Sequence, residues 1–87
     1  IASASGSQIP NYVFGANHVI WIVSTKKIVA DLNTGLKRIE DYVLDLEDKR
    51  AQIAYGSHTS LNKILIYRKE TTPDRITIIL VKEDAGY

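Results

Sequence analysis

At 87 residues with a formal net charge of +1, the chain has the size of one small domain or a piece of a larger one. It lacks the clustered basic charge of a nucleic-acid binder. Its apolar (45%) and charged (24%) fractions suit an ordinary globular protein, and the absence of cysteine excludes a disulfide, a thiolate metal site and a cysteine nucleophile within these residues.

In chain order, Ile1-Ala2-Ser3-Ala4-Ser5 reads as the end of a strand already under way, so the chain is expected to be the C-terminal piece of a longer domain. Ser5-Gly6-Ser7 is a turn signal. Gln8 to Ala16 is a short helix candidate, with Ser7 as N-cap and Pro10 in the first turn, where its missing N–H costs nothing. His18-Val19-Ile20-Trp21-Ile22-Val23 is a continuous apolar run, read as a buried parallel strand ending in the polar loop Ser24-Thr25-Lys26-Lys27. The clearest helix follows. Asp31 is placed to cap it, and Leu32, Leu36, Ile39, Val43 and Leu46 recur at intervals of four and three as one apolar stripe. Gly35 inside this helix costs on the order of 1 kcal/mol against Ala, which points to close packing there. A second segment, Glu47 to Tyr55, is expected to restart at Asp45 as a new N-cap. Two apolar runs, Leu61 to Tyr67 and Ile76 to Val81, flank a Pro73-Asp74 turn and predict a closing antiparallel hairpin. The second run is nearly continuous in apolar residues, as in a strand covered on both faces.

The order is therefore β-α-β-α(α)-β-β, an α/β class with a mixed sheet: parallel βα units first, a C-terminal hairpin last. No stretch approaches the roughly 20 apolar residues of a membrane span, and no basic segment precedes an apolar core at the start. The cytoplasm is the expected compartment, with no nucleic-acid or membrane partner.

The best candidate site is Ser3-Ala4-Ser5-Gly6-Ser7-Gln8. A strand turning through Ser-Gly-Ser into a helix offers backbone N–H groups and hydroxyls to a phosphate or carboxylate, and in open α/β sheets ligands sit outside the carboxyl ends of strands. The competing reading is an ordinary N-cap and tight turn, which is very common. Thr25, Lys26 and Lys27 end the next strand and would lie on the same sheet edge, where a lysine neutralises an anion; the plainer reading is a solvated loop. The ligand-binding candidates are thus Ser5, Gly6, Ser7, Gln8, Thr25, Lys26 and Lys27. His18 and His58 have no carboxylate placed to complete a ligand set, so neither metal nor cofactor is expected, and no catalytic residue is assigned. Glu40, Asp41, Asp45, Glu47 and Asp48 alternate with Lys37, Arg38, Lys49 and Arg50 as on a solvated helix face.

Several of these stretches, in order across nearly the whole chain, resemble the lactate-utilization (LUD) domain family, in its protein B and C group. Ser3-Ala4-Ser5-Gly6-Ser7-Gln8 resembles that family's "TGSQ" turn. His18 to Val23 with Lys27-Ile28-Val29 is similar to its "VIWVVGxxKIV" segment, and Leu36 to Ile39 with Tyr42-Val43-Leu44 to its "LKRI…YVLPLE" helix. Asn62 to Ile66, Arg75-Ile76-Thr77 and Val81 to Tyr87 resemble its closing "NKLLII…RITLIFVNEVLGF" segment. The resemblance implies a Rossmann-like layered fold of the NagB/RpiA/CoA-transferase kind, with this chain as the C-terminal part, and a link to bacterial lactate oxidation beside an iron–sulfur subunit. Asp45 stands where the pattern has Pro and Ser24 where it has Gly. The cysteine cluster of one branch is absent from Ala54 to Ser60, so cluster-dependent activity does not carry over. Two functions remain open: an anion-binding or catalytic domain fragment, or a non-catalytic assembly module held as a homo-oligomer or against a missing N-terminal half.

Overall fold

Asp31 starts the longest element, as its position before the apolar stripe predicts. Its backbone is extended, and its Oδ1 accepts the Thr34 amide at 2.7 Å, which also holds the carboxyl below its ordinary pKa. The computed structural model describes residues 1–87. Helix α1 (Leu32–Arg38) passes through a π-helical segment, Ile39–Val43, directly into α2 (Leu44–Tyr55). The expected restart at Asp45 does not occur: the residue before α2, Val43, has helical dihedrals and no side chain caps it. The interruption is the π segment instead. It adds one residue to the turn. Leu36, Ile39, Val43 and Leu46 of the predicted stripe are half-buried, joined by Leu44, Glu47 and buried Ala51, whereas Leu32, also expected on the stripe, is exposed and Tyr42 is turned out. Gly35 has the predicted packing role, since a Cβ there would lie 3.2 Å from Val29 Cγ2. Gly56 ends α2 in the left-handed conformation (φ 68°), its N–H donating to Gln52 O.

The chain divides into two compact units. The first comprises Ile1–Gly6, Val29–Ile64 and Tyr87. Besides the helices it holds two short antiparallel strands, β1 (Ala2–Ser3) and β3 (Lys63–Ile64), with Ala2 opposite Ile64 and Ser3 opposite Lys63.

The second unit comprises Ser7–Ile28 and Leu65–Gly86. A helical turn, Asn11–Gly15, forms within the predicted Gln8–Ala16 segment and leads into β2 (Val19–Ser24). Strand β4 (Ile76–Val81) runs parallel to β2 in register from Val19–Ile76 to Ser24–Val81. The expected C-terminal hairpin is therefore absent. Its first arm pairs only at Lys63–Ile64, with β1, and its second arm pairs with β2. The Pro73-Asp74 turn does form: Arg75 N–H reaches Thr72 O at 3.4 Å and Asp74 sits at φ 60°, as the third residue of a type II turn requires. What precedes it is not a strand. Glu70 and Tyr67 turn toward the Arg75 side chain, while the Arg75 carbonyl accepts the Val19 amide at 2.8 Å and opens the parallel ladder. The turn thus delivers β4 to β2.

Trp21 packs edge-on between Tyr12 and Tyr67, with ring centroids 5.5 and 6.0 Å away, and forms the aromatic centre of this unit. Both strands were expected to be buried, and this is corrected. Ile20 and Ile22 on β2, and Ile78, Ile79 and Leu80 on β4, remain 44–64% exposed. A two-stranded parallel pair has no layers to cover both faces.

Candidate functional site

The parallel register brings the carboxyl ends of β2 and β4 side by side, and the sequence-predicted Thr25, Lys26 and Lys27 follow directly. Ser24 is almost fully buried at the last β2 position; its Oγ accepts the Lys26 amide at 3.4 Å and starts a single 3₁₀ turn over Thr25–Lys27. That turn ends where Ile28 N–H donates to Thr25 O. Lys26 Nζ lies 3.1 Å from Asp84 Oδ1, on the segment that leaves β4. The Lys27 ammonium lies against Gly86, where a Cβ would stand 2.8 Å from Nζ and where φ is +68°. Two ammonium groups thus flank the strand ends, and one already holds a carboxylate. That carboxylate is 89% exposed, so the pair is worth at most about 1 kcal/mol and exchanges readily with another anion. Asp84 was not among the predicted site residues; only the parallel register puts it beside Lys26.

The other predicted residues fall as follows. Ser5 and Gly6 belong to the first unit, Ser7 and Gln8 to the second. Gly6 is buried with φ 73°, and its N–H donates to Ser3 Oγ at 2.9 Å, so this amide closes the turn. The Ser5 carbonyl accepts from Lys63 Nζ at 2.6 Å, a cation at the Ser-Gly turn that spacing did not reveal. Gln8 O accepts the Tyr12 amide at 3.2 Å as the first bond of the helical turn.

The most heavily bonded side chain was not singled out from sequence. Arg75, 7% exposed, donates Nε to Ala16 O (2.9 Å), Nη2 to Asn11 O (3.1 Å) and Nη1 to Tyr12 O (2.8 Å), Glu70 Oε2 (3.0 Å) and Tyr67 Oη (3.3 Å). It satisfies the carbonyls along the helical turn and ties them to the start of β4. Tyr67 Oη donates to Glu70 Oε2 at 2.6 Å and Thr72 N–H to Oε1 at 2.9 Å. These donors, Tyr67 foremost, then Thr72 and Arg75, hold the Glu70 carboxyl down to about 2, and the Tyr67 hydroxyl is raised in turn by its bond to Glu70. With all three guanidinium nitrogens so engaged, the network is a structural lock.

In the first unit Asp48 and His58 pair, Oδ2 to Nδ1 at 2.9 Å, although the sequence offered no carboxylate near either histidine. They stand ten positions apart, a distance bridged only because the chain reverses at Gly56. Asp48 also accepts the Thr59 amide on Oδ1 (2.7 Å) and Gln52 Nε2 on Oδ2 (2.9 Å). Its carboxyl is lowered chiefly by the His58 hydrogen bond, then by Thr59 N–H. The pair fastens the Ser57–Ser60 loop to α2. His18 bonds Thr77 Oγ1 through Nε2 at 3.1 Å. No group of three or more His, Asp or Glu side chains could hold a metal ion, and no helix is long and apolar enough to cross a membrane. The helices and the two small sheets, one antiparallel and one parallel, make the chain α/β in class. Comparison with protein-family models, with curated proteins and with solved structures finds no match to this chain.

Proposed function

We propose that this chain is part of a lactate-utilization-type α/β domain, Rossmann-like in the NagB/RpiA/CoA-transferase manner, and that it binds a small anionic molecule at the carboxyl ends of its parallel strands. Thr25, Lys26 and Lys27 are the residues that meet the anion. One observation supports this most: Lys26 Nζ already holds a carboxylate, that of Asp84, at 3.1 Å, beside the Lys27 ammonium and at the edge where open parallel sheets receive ligands. The test is thermal unfolding with phosphate, sulfate and L-lactate at matched ionic strength. An anion at ten times its Kd adds about 1.4 kcal/mol, roughly 6–11 °C for a domain of this size. Lys26→Met and Lys27→Met should abolish that shift. No shift with any of the three anions sinks the reading.

A second reading, an assembly module that pairs with another copy of this chain, rests on a different observation. In the parallel register Ile20, Ile22 and Ile79 share one sheet face and are 57%, 64% and 44% exposed. Contiguous exposed apolar surface of this kind is characteristic of interaction sites. Sedimentation across a hundredfold concentration range, with Ile22→Lys as control, decides it; a monomer throughout removes it.

A further inference from the structure

The first unit forms an open cavity of about 310 Å³ that involves none of the residues of the proposed anion site. Its helical wall is Ile39, Val43, Leu44 and Glu47, its second wall Ala2 to Ala4 around β1, and its third Thr59, Ser60 and Leu61, with Tyr87 completing the lining. The helical wall includes the π segment, whose first and last residues, Ile39 and Val43, both line the cavity. Leu44 and Glu47 continue that wall from the first turn of α2. Such one-turn π segments occur frequently at functional sites.

The walls are fixed from outside. Asp48 accepts the Thr59 amide at 2.7 Å and so anchors the loop to α2. Asn62 Nδ2 donates to Ser60 Oγ (2.9 Å) and Ala4 O (3.3 Å), and its backbone N–H to Ser3 O (3.2 Å), which anchors the same loop to β1. Glu47 is held bidentately by Arg50, Nε to Oε2 at 2.8 Å and Nη2 to Oε1 at 2.6 Å, and its carboxyl is lowered by that bond. A cavity whose lining is held by bonds directed away from it is pre-formed, so a ligand meets little ordering cost.

The lining chemistry sets the ligand class. Ile39, Val43, Leu44 and Leu61 offer a compact apolar floor. Around it stand the Ser60 hydroxyl, which accepts from Asn62 and so keeps its proton to give, the Thr59 hydroxyl, and the Glu47 carboxylate as acceptor. That set favours a neutral molecule with a hydroxyl: no basic side chain lines the cavity to receive a carboxylate, and the nearby Arg50 is already paired with Glu47. We infer that this cavity is a binding site for a small, neutral, amphipathic molecule bearing a hydroxyl group, with Asp48 as the positioning residue that holds its loop wall. This site is independent of the anion site, and the ligand charges differ, so either can fail alone.

The test is amide NMR of the full chain titrated with benzyl alcohol and, separately, with benzoate. Benzyl alcohol should bind with a Kd in roughly the millimolar range expected of so small a molecule. Its shifts should be confined to Ala2–Ala4, Ile39–Glu47 and Thr59–Leu61, and benzoate should leave these residues unmoved. Val43→Phe fills the cavity and should remove the shifts; Ser60→Ala, which removes the hydroxyl together with its bond from Asn62, should weaken binding roughly threefold and Asp48→Asn roughly fivefold. No shifts at these residues, equal binding of benzoate, or shifts centred on the exposed isoleucines of β2 and β4 would overturn the assignment.

Discussion

Replacing Arg75 tests the account of the second unit most directly. Its guanidinium is 7% exposed and makes five hydrogen bonds, three to backbone carbonyls of the helical turn, one to Tyr67 and one to Glu70. Arg75→Met keeps the bulk but takes the guanidinium donors from three carbonyls, leaving Ala16 O without its bond, and removes the cation that pairs with Glu70. Removing one member of a buried ion pair costs about 3–5 kcal/mol. A chain of this length has a total stability of roughly 4–13 kcal/mol, so the variant should be marginal or unfolded in this unit. Arg75→Lys separates charge from geometry. An ammonium serves Glu70 but cannot span carbonyls of Asn11, Tyr12 and Ala16 at once, so about 2 kcal/mol should still be lost. Trp21, the only tryptophan, packs against Tyr12 and Tyr67, both bonded to Arg75, so its fluorescence in a urea titration reports this network. The reasoning fails if Arg75→Lys unfolds within about 0.5 kcal/mol of the parent, because that would make charge alone sufficient. The pH dependence carries a second check. Glu70 is depressed from 4.5 to about 2 in the folded chain, so its contribution is complete above pH 4.5 and is lost as pH falls toward 2. Glu70→Gln should flatten the Trp21-monitored acid transition across that window.

Three further outcomes follow from single positions. Gly56→Ala places a Cβ at φ 68° with no neighbour within 4 Å, so it should cost about 1 kcal/mol through backbone strain alone, read as a lower thermal midpoint. At Asp74, φ 60°, Gly should be neutral within about 0.5 kcal/mol and Ala should destabilise by about 1 kcal/mol in a denaturant titration. Asp48→Asn should speed exchange of the Thr59 amide roughly tenfold at neutral pH while leaving the helix amides protected. Because the Asp48 carboxyl is lowered on folding, the parent loop should hold above its unfolded pKa and loosen as pH falls through the folded one; unchanged exchange in either experiment removes the latch.

Local chemistry made parts of this protein legible before any tertiary structure. Asp31 as a helix cap, Gly35 as a close contact, the Pro73-Asp74 turn and the parallel character of His18 to Val23 each depend on neighbours a few residues away or on a strand's own composition. The errors share one cause. Whether Ile76–Val81 pairs with Leu61–Tyr67 or with Val19–Ser24 is decided by where a buried arginine pulls the preceding turn. Glu70 and Tyr67 carry no mark in the sequence that they will turn toward it.

The candidate sites divide in the same way. Thr25, Lys26 and Lys27 could be named because a polar loop after an apolar run is a local signal. Asp84 beside Lys26 requires the register of β4 against β2; Lys63 on Ser5 requires β3 against β1; the Asp48–His58 latch requires the reversal at Gly56. The cavity brings the helix face of Ile39 and Val43 against β1 and the Thr59–Leu61 segment, a juxtaposition that helical spacing alone does not show. By itself the sequence determined the class of the chain, the start and end of its long helix and the polar loops, because these follow from backbone propensity and capping within one turn. Strand partners, the buried guanidinium and the walls of the cavity were decided only by tertiary structure, since each depends on which hydrogen bonds survive when water is excluded.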